Sequence, residues 1–175
     1  RLSHLRNTLK TANKFVMISI MAFAVLTTAF AAGKLSKADA HIQGAINSFG
    51  GAQYYGNPAV ASNETVTGID SYKNGSGYWT TTNTGRVSAF GSSANYGDLT
   101  SLKVANITSI VSTRSNNGYW LLGSDGGVFA FGDAHFYGSG VDIGYNSNKY
   151  IALIASNSQE GYNLVDSSGA VFSFG

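Results

Sequence analysis

The sequence predicts an all-β protein built from tandem repeats of about 41 residues, and three observations support this fold class. The 175 residues include 22 glycines, 10 tyrosines and 10 phenylalanines but one proline, so turn-forming and strand-forming residues dominate. Two short motifs, Gly-Tyr-Trp and Phe-Gly, recur at regular spacing. A glycine recurs between them, where a tight hairpin turn requires a positive φ.

Residues 1–40 have the pattern of a targeting segment. They contain six basic residues and one acid, around an uncharged and mostly apolar run at 15–33. A basic start, an apolar run and a small-x-small site are typical of a signal peptide, here with cleavage after Ala31 or Ala40. The run is also long enough for an uncleaved hydrophobic helix that anchors the chain in a membrane. Either alternative predicts that residues 41–175 are secreted or held at the cell surface.

The repeat is defined by motifs that keep a common register. Gly-Tyr recurs at offsets of 41 and 43 residues, and Phe-Gly recurs at offsets of 41, 41 and 43. Tyr-Gly follows each of the first three Phe-Gly pairs, beginning six residues after the phenylalanine. The residues predicted to form this structural motif are Gly77, Tyr78, Trp79, Phe90, Gly91, Gly118, Tyr119, Trp120, Phe131, Gly132, Gly161, Tyr162, Phe174 and Gly175.

The clearest copy spans residues 107–138 and divides into short strands. ITSIVST is rich in β-branched residues, GYWLLGS follows a turn, and Asp125-Gly126 is a hairpin signal before the alternating VFAFG. Gly85 and Gly169 correspond to Gly126 in the neighbouring copies. The repeat units are expected at about 44–65 (partial), 66–106, 107–149 and 150–175 (partial).

A unit of this size predicts a stacked architecture. A meander of three or four strands cannot bury its apolar face alone, so it must pack on its neighbours. Forty-odd residues with four strands is the length of a β-propeller blade, and about three units are fewer than the four blades that propellers typically need. We therefore expect β-propeller-like repeats, as an incomplete propeller cut from a longer chain. A β-trefoil is the alternative, followed by an open stacked array.

The segment GYWLLGSDGGVFAFGDAHFYGS, residues 118–139, resembles a repeat found many times over in secreted proteins of actinobacteria and some other bacteria. The usual form of that repeat is close to GYWLVASDGGVFAFGDARFYGS. The match is weaker in the flanking copies, where Arg86, Ser88 and Asn163 depart from the pattern and are expected to weaken packing. The resemblance implies propeller-like repeats outside the cell, often beside a variable domain such as a hydrolase. It supplies no catalytic motif to carry over.

Charge and residue types argue against several functions. Residues 41–175 hold five basic and eight acidic residues, which disfavours nucleic acid as a partner. The absence of cysteine excludes a thiol nucleophile and thiolate metal sites. His135 lacks a partner at metal-ligand spacing, and acids such as Asp125 and Asp133 fit turns better than a catalytic pair. We assign no catalytic, metal or cofactor site, expect no cofactor, and expect membrane contact only through the N-terminal segment.

Aromatic residues outside the hairpin core carry the one positive functional signal. Rings on loops stack on sugar faces or anchor a protein partner, whereas rings inside repeats fill gaps between units. We expect a non-enzymatic binding or adhesion domain for a cell-wall polysaccharide or another surface protein. The alternative is an accessory or targeting region of an extracellular cell-wall hydrolase, peptidase or esterase. The candidate ligand-contact residues are Tyr54, Tyr55, Tyr72, Tyr145 and Tyr150.

Overall fold

A computed structural model of the chain describes residues 45–144, 149–158 and 160–175. The predicted targeting segment, residues 1–40, lies outside these ranges, so they do not test it. Within them there is no helix with the length and apolarity that a membrane span requires. All the described strands belong to one compact unit, Ile42–Gly175.

The described residues confirm the all-β fold class. They form three separate antiparallel sheets, each a meander of three strands that are neighbours in sequence. A short 3₁₀ turn, Lys73–Gly75, follows the first strand. In chain order the strands are β1 (Val66–Ser71), β2 (Gly77–Thr82), β3 (Val87–Gly91), β4 (Ile107–Ser112), β5 (Gly118–Gly123), β6 (Val128–Gly132), β7 (Tyr150–Ala155), β8 (Tyr162–Asp166) and β9 (Val171–Phe174).

The repeated motifs occupy equivalent places in the three sheets. The Gly-Tyr motifs begin or immediately precede the middle strands, and their tyrosines pair with the phenylalanines of the third strands. The pairs are Tyr78–Phe90, Tyr119–Phe131 and Tyr162–Phe174. At the hairpin between β5 and β6, Gly126 has a φ of 90°. L residues rarely adopt this conformation, which explains why glycine recurs there.

Both faces of the central middle strand, β5, are buried, because sheets lie on either side of it. Tyr119 and Leu121 pack with Trp79 of the first sheet. Trp120 and Leu122, which point the opposite way, belong to a second cluster with β7 and β8. The continuous apolar run of β5 is therefore a strand between two sheets, and neighbouring sheets rather than one meander form the core.

A tyrosine hydroxyl fixes each sheet to the segment that precedes it. The Tyr119 hydroxyl accepts the Tyr96 N–H at 3.0 Å and donates to the Gly97 carbonyl at 2.6 Å. Tyr162 makes the same two bonds with Tyr137 and Gly138, at 3.1 and 2.5 Å. The tyrosine of each Gly-Tyr motif thus binds the Tyr-Gly motif before it. Tyr78 binds Tyr55 and Gly56 in the same way.

The glycine of each Tyr-Gly motif is required by close packing. A Cβ at Gly97 would lie 2.8 Å from the Phe131 ring. The phenylalanine of one repeat therefore sits directly on the Tyr-Gly segment of the repeat before it. This contact explains why Phe-Gly and Tyr-Gly recur together: each supplies one half of the same junction.

The two junctions between sheets are filled differently. Leu99 and Ile107 lie against the turn glycine Gly85 in the first junction. In the second junction, the Tyr150 ring lies against Gly126, and Gly140 takes the place of the leucine. The N–H groups of Leu99 and Gly140 make the same bond, to the carbonyls of Gly85 and Gly126, which establishes their equivalence. One large ring beside a glycine replaces two aliphatic side chains.

Removing the Tyr119 hydroxyl should weaken the fold. In Tyr119→Phe the Tyr96 N–H and the Gly97 carbonyl lose a partner, which we expect to cost about 1–3 kcal/mol in the free energy of unfolding. Urea denaturation, followed by circular dichroism, measures this change in the free energy of unfolding. Tyr54→Phe, at an exposed ring, is the matched control and should change stability little.

The same hydroxyl should make stability fall at high pH. Burial raises the pKa of Tyr119 to about 12, whereas a tyrosine in an unfolded chain ionises near pH 10. As pH rises, the unfolded state therefore loses this proton before the folded state does. The contribution of the Tyr119 hydroxyl to stability is thus complete below about pH 10 and declines as pH rises towards 12. Tyr119→Phe should lose part of this alkaline dependence; an unchanged profile would contradict the assignment.

At the second junction a large ring, Tyr150, lies beside a glycine, Gly140, so we expect substitutions at these two positions to have coupled effects on stability. A Cβ at Gly140 would lie 2.5 Å from the Tyr150 ring, so Gly140→Leu alone should destabilise the fold by roughly 1–3 kcal/mol. Tyr150→Ile alone leaves a cavity and should cost about 2–4 kcal/mol. The double variant restores the leucine and isoleucine found at the first junction. Its loss of stability should therefore be smaller than the sum of the two single losses by at least about 1 kcal/mol. Additive losses in thermal unfolding would refute the equivalence.

Candidate functional site

The turns between the first and second strands of the three sheets line one open cleft. Its volume is about 650 Å³. The turns occupy equivalent repeat positions, and hydroxyl and amide groups dominate their side chains. Among the lining residues, Lys73 and Arg114 carry positive charge, and no described carboxylate lines the cleft. The side chains that give it this character are Tyr72, Lys73, Asn74, Arg114, Ser156 and Asn157.

Hydrogen bonds between turns hold the cleft in shape. The Lys73 N–H donates to Oδ1 of Asn116 at 2.8 Å and joins the first turn to the second. Nη1 of Arg114 donates to the Asn157 carbonyl at 3.3 Å and joins the second turn to the third. Asn116 is buried and has a φ of 61°, a conformation that asparagine tolerates better than most residues. The floor of the cleft is therefore largely preorganised for a ligand.

A carboxylate behind the cleft is engaged by the backbone. Asp70 Oδ1 accepts the N–H of Ser71 at 2.9 Å, and Oδ2 accepts the N–H of Ser112 at 2.6 Å. This aspartate joins the first two sheets where β1 and β4 lie side by side. With both oxygens bound to backbone donors, it braces the lining turns.

A second cleft, of about 340 Å³, adjoins the first at Thr113 and Arg114, which line both. Trp120, Asp133 and His135 also line it. The Asp133 carboxylate accepts hydrogen bonds from the hydroxyl groups of Thr113 and Ser115, at 2.8 and 2.5 Å, so it is fixed in place. The two clefts together form a groove that is polar in its larger part and more apolar beside Trp120, with Arg114 shared by both parts.

The last repeat has a counterpart of the second cleft. It also measures about 340 Å³, and Ser156, Ser158 and Asn163 take the places of Thr113, Ser115 and Trp120. Asn163 accepts a hydrogen bond from the Ser173 hydroxyl at 2.6 Å. The shape of the cleft thus follows from the repeat, whereas its chemistry varies from copy to copy.

Of the predicted ligand-contact aromatics that the structure describes, Tyr72 is the one that lines a cleft. Its ring packs on Trp79, with centroids 5.6 Å apart, and is half-buried. Tyr54 is exposed but lines none of the three clefts. Tyr145 lies outside the described residues.

Tyr55 and Tyr150 have structural roles. The Tyr55 ring lies edge-on against Tyr78, and its hydroxyl donates to the Gly75 carbonyl at 3.1 Å. Tyr96 makes the equivalent contacts with Tyr119 and the next turn. The expected exposure of Tyr150 is wrong: its ring is fully buried because it fills the space over Gly126 and Gly140.

His135 is exposed beside the second cleft, with its ring centroid 6.4 Å from that of Tyr137. Its backbone carbonyl accepts the indole N–H of Trp120 at 2.7 Å, a bond that Ala94 makes with Trp79 in the preceding repeat. Within the described ranges, no group of three or more histidine, aspartate and glutamate residues is placed to hold a metal ion.

Sequence reasoning missed an ion pair between a buried glutamate and a more exposed arginine. Glu64 is almost fully buried and bonds to the Arg86 guanidinium at 3.0 Å. Its carboxylate also accepts the Ala61 N–H at 2.9 Å and the Thr84 hydroxyl at 2.6 Å. Burial alone would raise the pKa of Glu64, but these bonds outweigh it and lower the pKa to about 2. The departure at Arg86 thus anchors the hairpin of the first sheet to the preceding segment.

Sequence reasoning also missed Lys73 and Arg114 as ligand-binding candidates. They are 41 residues apart and therefore occupy the same position of the repeat, as Asn157 does 43 residues later. Positive charge at one repeat position in two successive turns was the available signal. Comparison of the chain with protein-family models, with curated proteins and with solved structures found no match.

The Glu64–Arg86 pair predicts a loss of stability in acid. A glutamate in an unfolded chain titrates near pH 4.5, whereas the folded group titrates near pH 2, so the contribution is present above pH 4.5 and lost as pH falls towards 2. Glu64→Gln should lower stability at pH 7 and flatten its dependence below pH 4.5. Glu160→Gln, at an exposed glutamate, is the matched control for thermal unfolding across this range.

Proposed function

We propose that the chain is an exported, non-enzymatic binding domain whose ligand is an acidic polysaccharide of the cell wall. The observation that carries this proposal is the preorganised cleft between the three turns, lined by hydroxyl groups, amides, Tyr72, Lys73 and Arg114. Export is proposed from the pattern of residues 1–40.

The chemistry of the groove supports a glycan ligand. Sugar hydroxyls pair with hydroxyl and amide groups that both donate and accept, and sugar faces stack on aromatic rings such as Tyr72. Lys73 and Arg114 favour a ligand with carboxylate or phosphate groups, because charge-assisted hydrogen bonds are stronger than neutral ones. The larger cleft is open and polar, and the second cleft extends it past Trp120. This shape suits a polymer better than a small apolar ligand, which would need an enclosed pocket.

The roles of the ionisable groups support binding rather than catalysis. Glu64 and Asp70 are bound by backbone or side-chain donors, and Asp133 is held by two hydroxyl groups. Each of these carboxylates has a structural partner that accounts for its place. A ligand would therefore meet fixed hydrogen-bonding groups in the groove.

The architecture we propose is β-propeller-like. Three meanders that each form a separate sheet, with β1 against β4 and β4 against β7, suit blades arranged around their first strands. A trefoil would instead share barrel strands between its units. In a blade arrangement, the turns after the first strands lie on one end of the molecule, which is where binding grooves of this kind would be expected.

The test is binding of the full-length protein to purified bacterial cell wall, alginate and neutral dextran. We expect the dissociation constant for acidic ligands to rise about tenfold in Lys73→Ala/Arg114→Ala and to rise with added salt. Lys103→Ala/Lys149→Ala removes two exposed cations that line none of the clefts, and should bind like the wild type. Equal losses in both double variants, or no binding of the wild type to any of the three, would refute the proposal.

A further inference from the structure

Two asparagines in the sequence, Asn74 and Asn117, are followed directly by glycine. The backbone nitrogen after an asparagine lies within reach of the side-chain amide carbon, and glycine leaves that nitrogen unshielded because it has no Cβ. Asn74 lies in the turn after β1, whereas Asn117 immediately precedes β5. The two pairs therefore have different surroundings, although the chemistry of their local sequences is the same.

The first pair is open to solvent. Asn74 and Gly75 are both exposed, and a Cβ at Gly75 would meet no atom within 4 Å. Both residues have a positive φ, of 63° and 68°, which is an uncommon conformation for asparagine. The Asn74 side chain makes no hydrogen bond to any described residue, so its amide can turn towards the backbone.

The Gly75 nitrogen is held by one hydrogen bond. Its N–H donates to the Tyr72 carbonyl at 2.9 Å, and the Gly75 carbonyl accepts the Tyr55 hydroxyl at 3.1 Å. Asn74 and Gly75 lie on an exposed turn, so water can replace these partners when the turn opens. Opening of this one turn, without the loss of any strand pair, is therefore enough to release the nitrogen.

The second pair is held at the edge of a sheet. Gly118 is buried at the start of β5, and a Cβ there would lie 2.7 Å from the Asp133 nitrogen. The Asn117 N–H donates to Oγ of Ser115 at 3.0 Å, and the Asn117 carbonyl accepts the Asp133 N–H at 3.1 Å. The Gly118 carbonyl accepts the Thr113 N–H at 2.9 Å. Movement of this pair requires that the start of β5 separate from its neighbours.

We propose that Asn74 is a site of spontaneous deamidation. The Gly75 nitrogen attacks Cγ of Asn74, the bond from Cγ to Nδ2 breaks, and ammonia leaves with the proton that the Gly75 nitrogen loses. Water then opens the resulting five-membered imide at either carbonyl, which gives aspartate or isoaspartate. The reaction needs no co-reactant other than water, and base accelerates it because the attacking nitrogen must lose its proton.

The product changes the charge of the larger cleft. Asn74 lines this cleft beside Lys73, and Lys73 and Arg114 are the charged residues among its lining. Deamidation replaces a neutral amide with a carboxylate, so it offsets one of the two positive charges. Because the reaction is spontaneous, the altered fraction increases with the age of the molecule.

The test is incubation of the full-length protein in neutral buffer, followed by unfolding, brief tryptic digestion and mass spectrometry. Trypsin cuts after lysine and arginine, so it places the two asparagines in separate peptides, 74–86 and 115–149. We expect Asn74 to deamidate at least about tenfold faster than Asn117, because its turn opens at a lower cost in free energy. The rate at Asn74 should rise with pH, and both the aspartate and the isoaspartate forms should appear.

Incubation in concentrated guanidinium chloride is the control that isolates the contribution of the fold. In the unfolded chain both asparagines precede glycine without other constraint, so they should react at similar rates. Asn74→Gln should remove the early product from peptide 74–86, since glutamine forms the corresponding larger ring far more slowly. Equal rates in the folded protein, a faster reaction at Asn117, or no reaction at Asn74 over a period in which the unfolded chain reacts would overturn the proposal.

A second measurement follows the effect on ligand binding, which rests on the proposed function. Asn74→Asp carries the charge of the product, and Asn74→Gln is its neutral match. The dissociation constant for alginate should be about threefold higher for Asn74→Asp, and the difference should shrink with added salt. Equal binding by the two variants would refute the effect on the ligand, whereas the peptide masses decide deamidation independently of it.

Discussion

The fold depends on the burial of both faces of a middle strand by neighbouring sheets. A three-stranded meander has too few residues to enclose a core, so apolar side chains such as Leu121 and Leu122 are buried because a sheet lies on each side. Burial alone would tolerate sliding of one sheet over the next. The hydroxyl of Tyr119 prevents this, because it must reach both the Tyr96 N–H and the Gly97 carbonyl. Packing thus provides the driving force, and the tyrosine hydroxyl fixes the register.

The features that recur in every repeat could be predicted from the sequence. Pairs of residues in which a change at one position is offset by a change at another could not. Tyr78, Tyr119 and Tyr162 recur in the sequence at the spacing of the strand pairing, and each pairs with the phenylalanine of the next strand. Tyr150 was misjudged because its burial depends on Gly140, which faces it across a junction. Arg86 interrupts a turn motif, and its partner Glu64 lies outside that motif. Such exchanges become visible only when the two positions are seen together.

The clefts show the same difference between predictable and unpredictable features. Motif positions are constrained by contacts on both sides, whereas the turns after the first strands point away from the junctions and can vary. Lys73, Arg114 and Asn157 share one repeat position but differ in charge and hydrogen-bonding groups. Their convergence on one cleft depends on β1, β4 and β7 lying side by side, which spacing alone does not reveal. The sequence therefore identified the scaffold better than the surface that the scaffold presents.

The repeat of the turns bears directly on the proposed ligand. Each junction sets two turns side by side, as the bond between Lys73 and Asn116 shows at the first one. A polysaccharide has repeated acidic groups along its length, and a row of turns engages several of them without any new type of contact. Weak individual contacts in an open cleft would then suffice for firm attachment to a polymer.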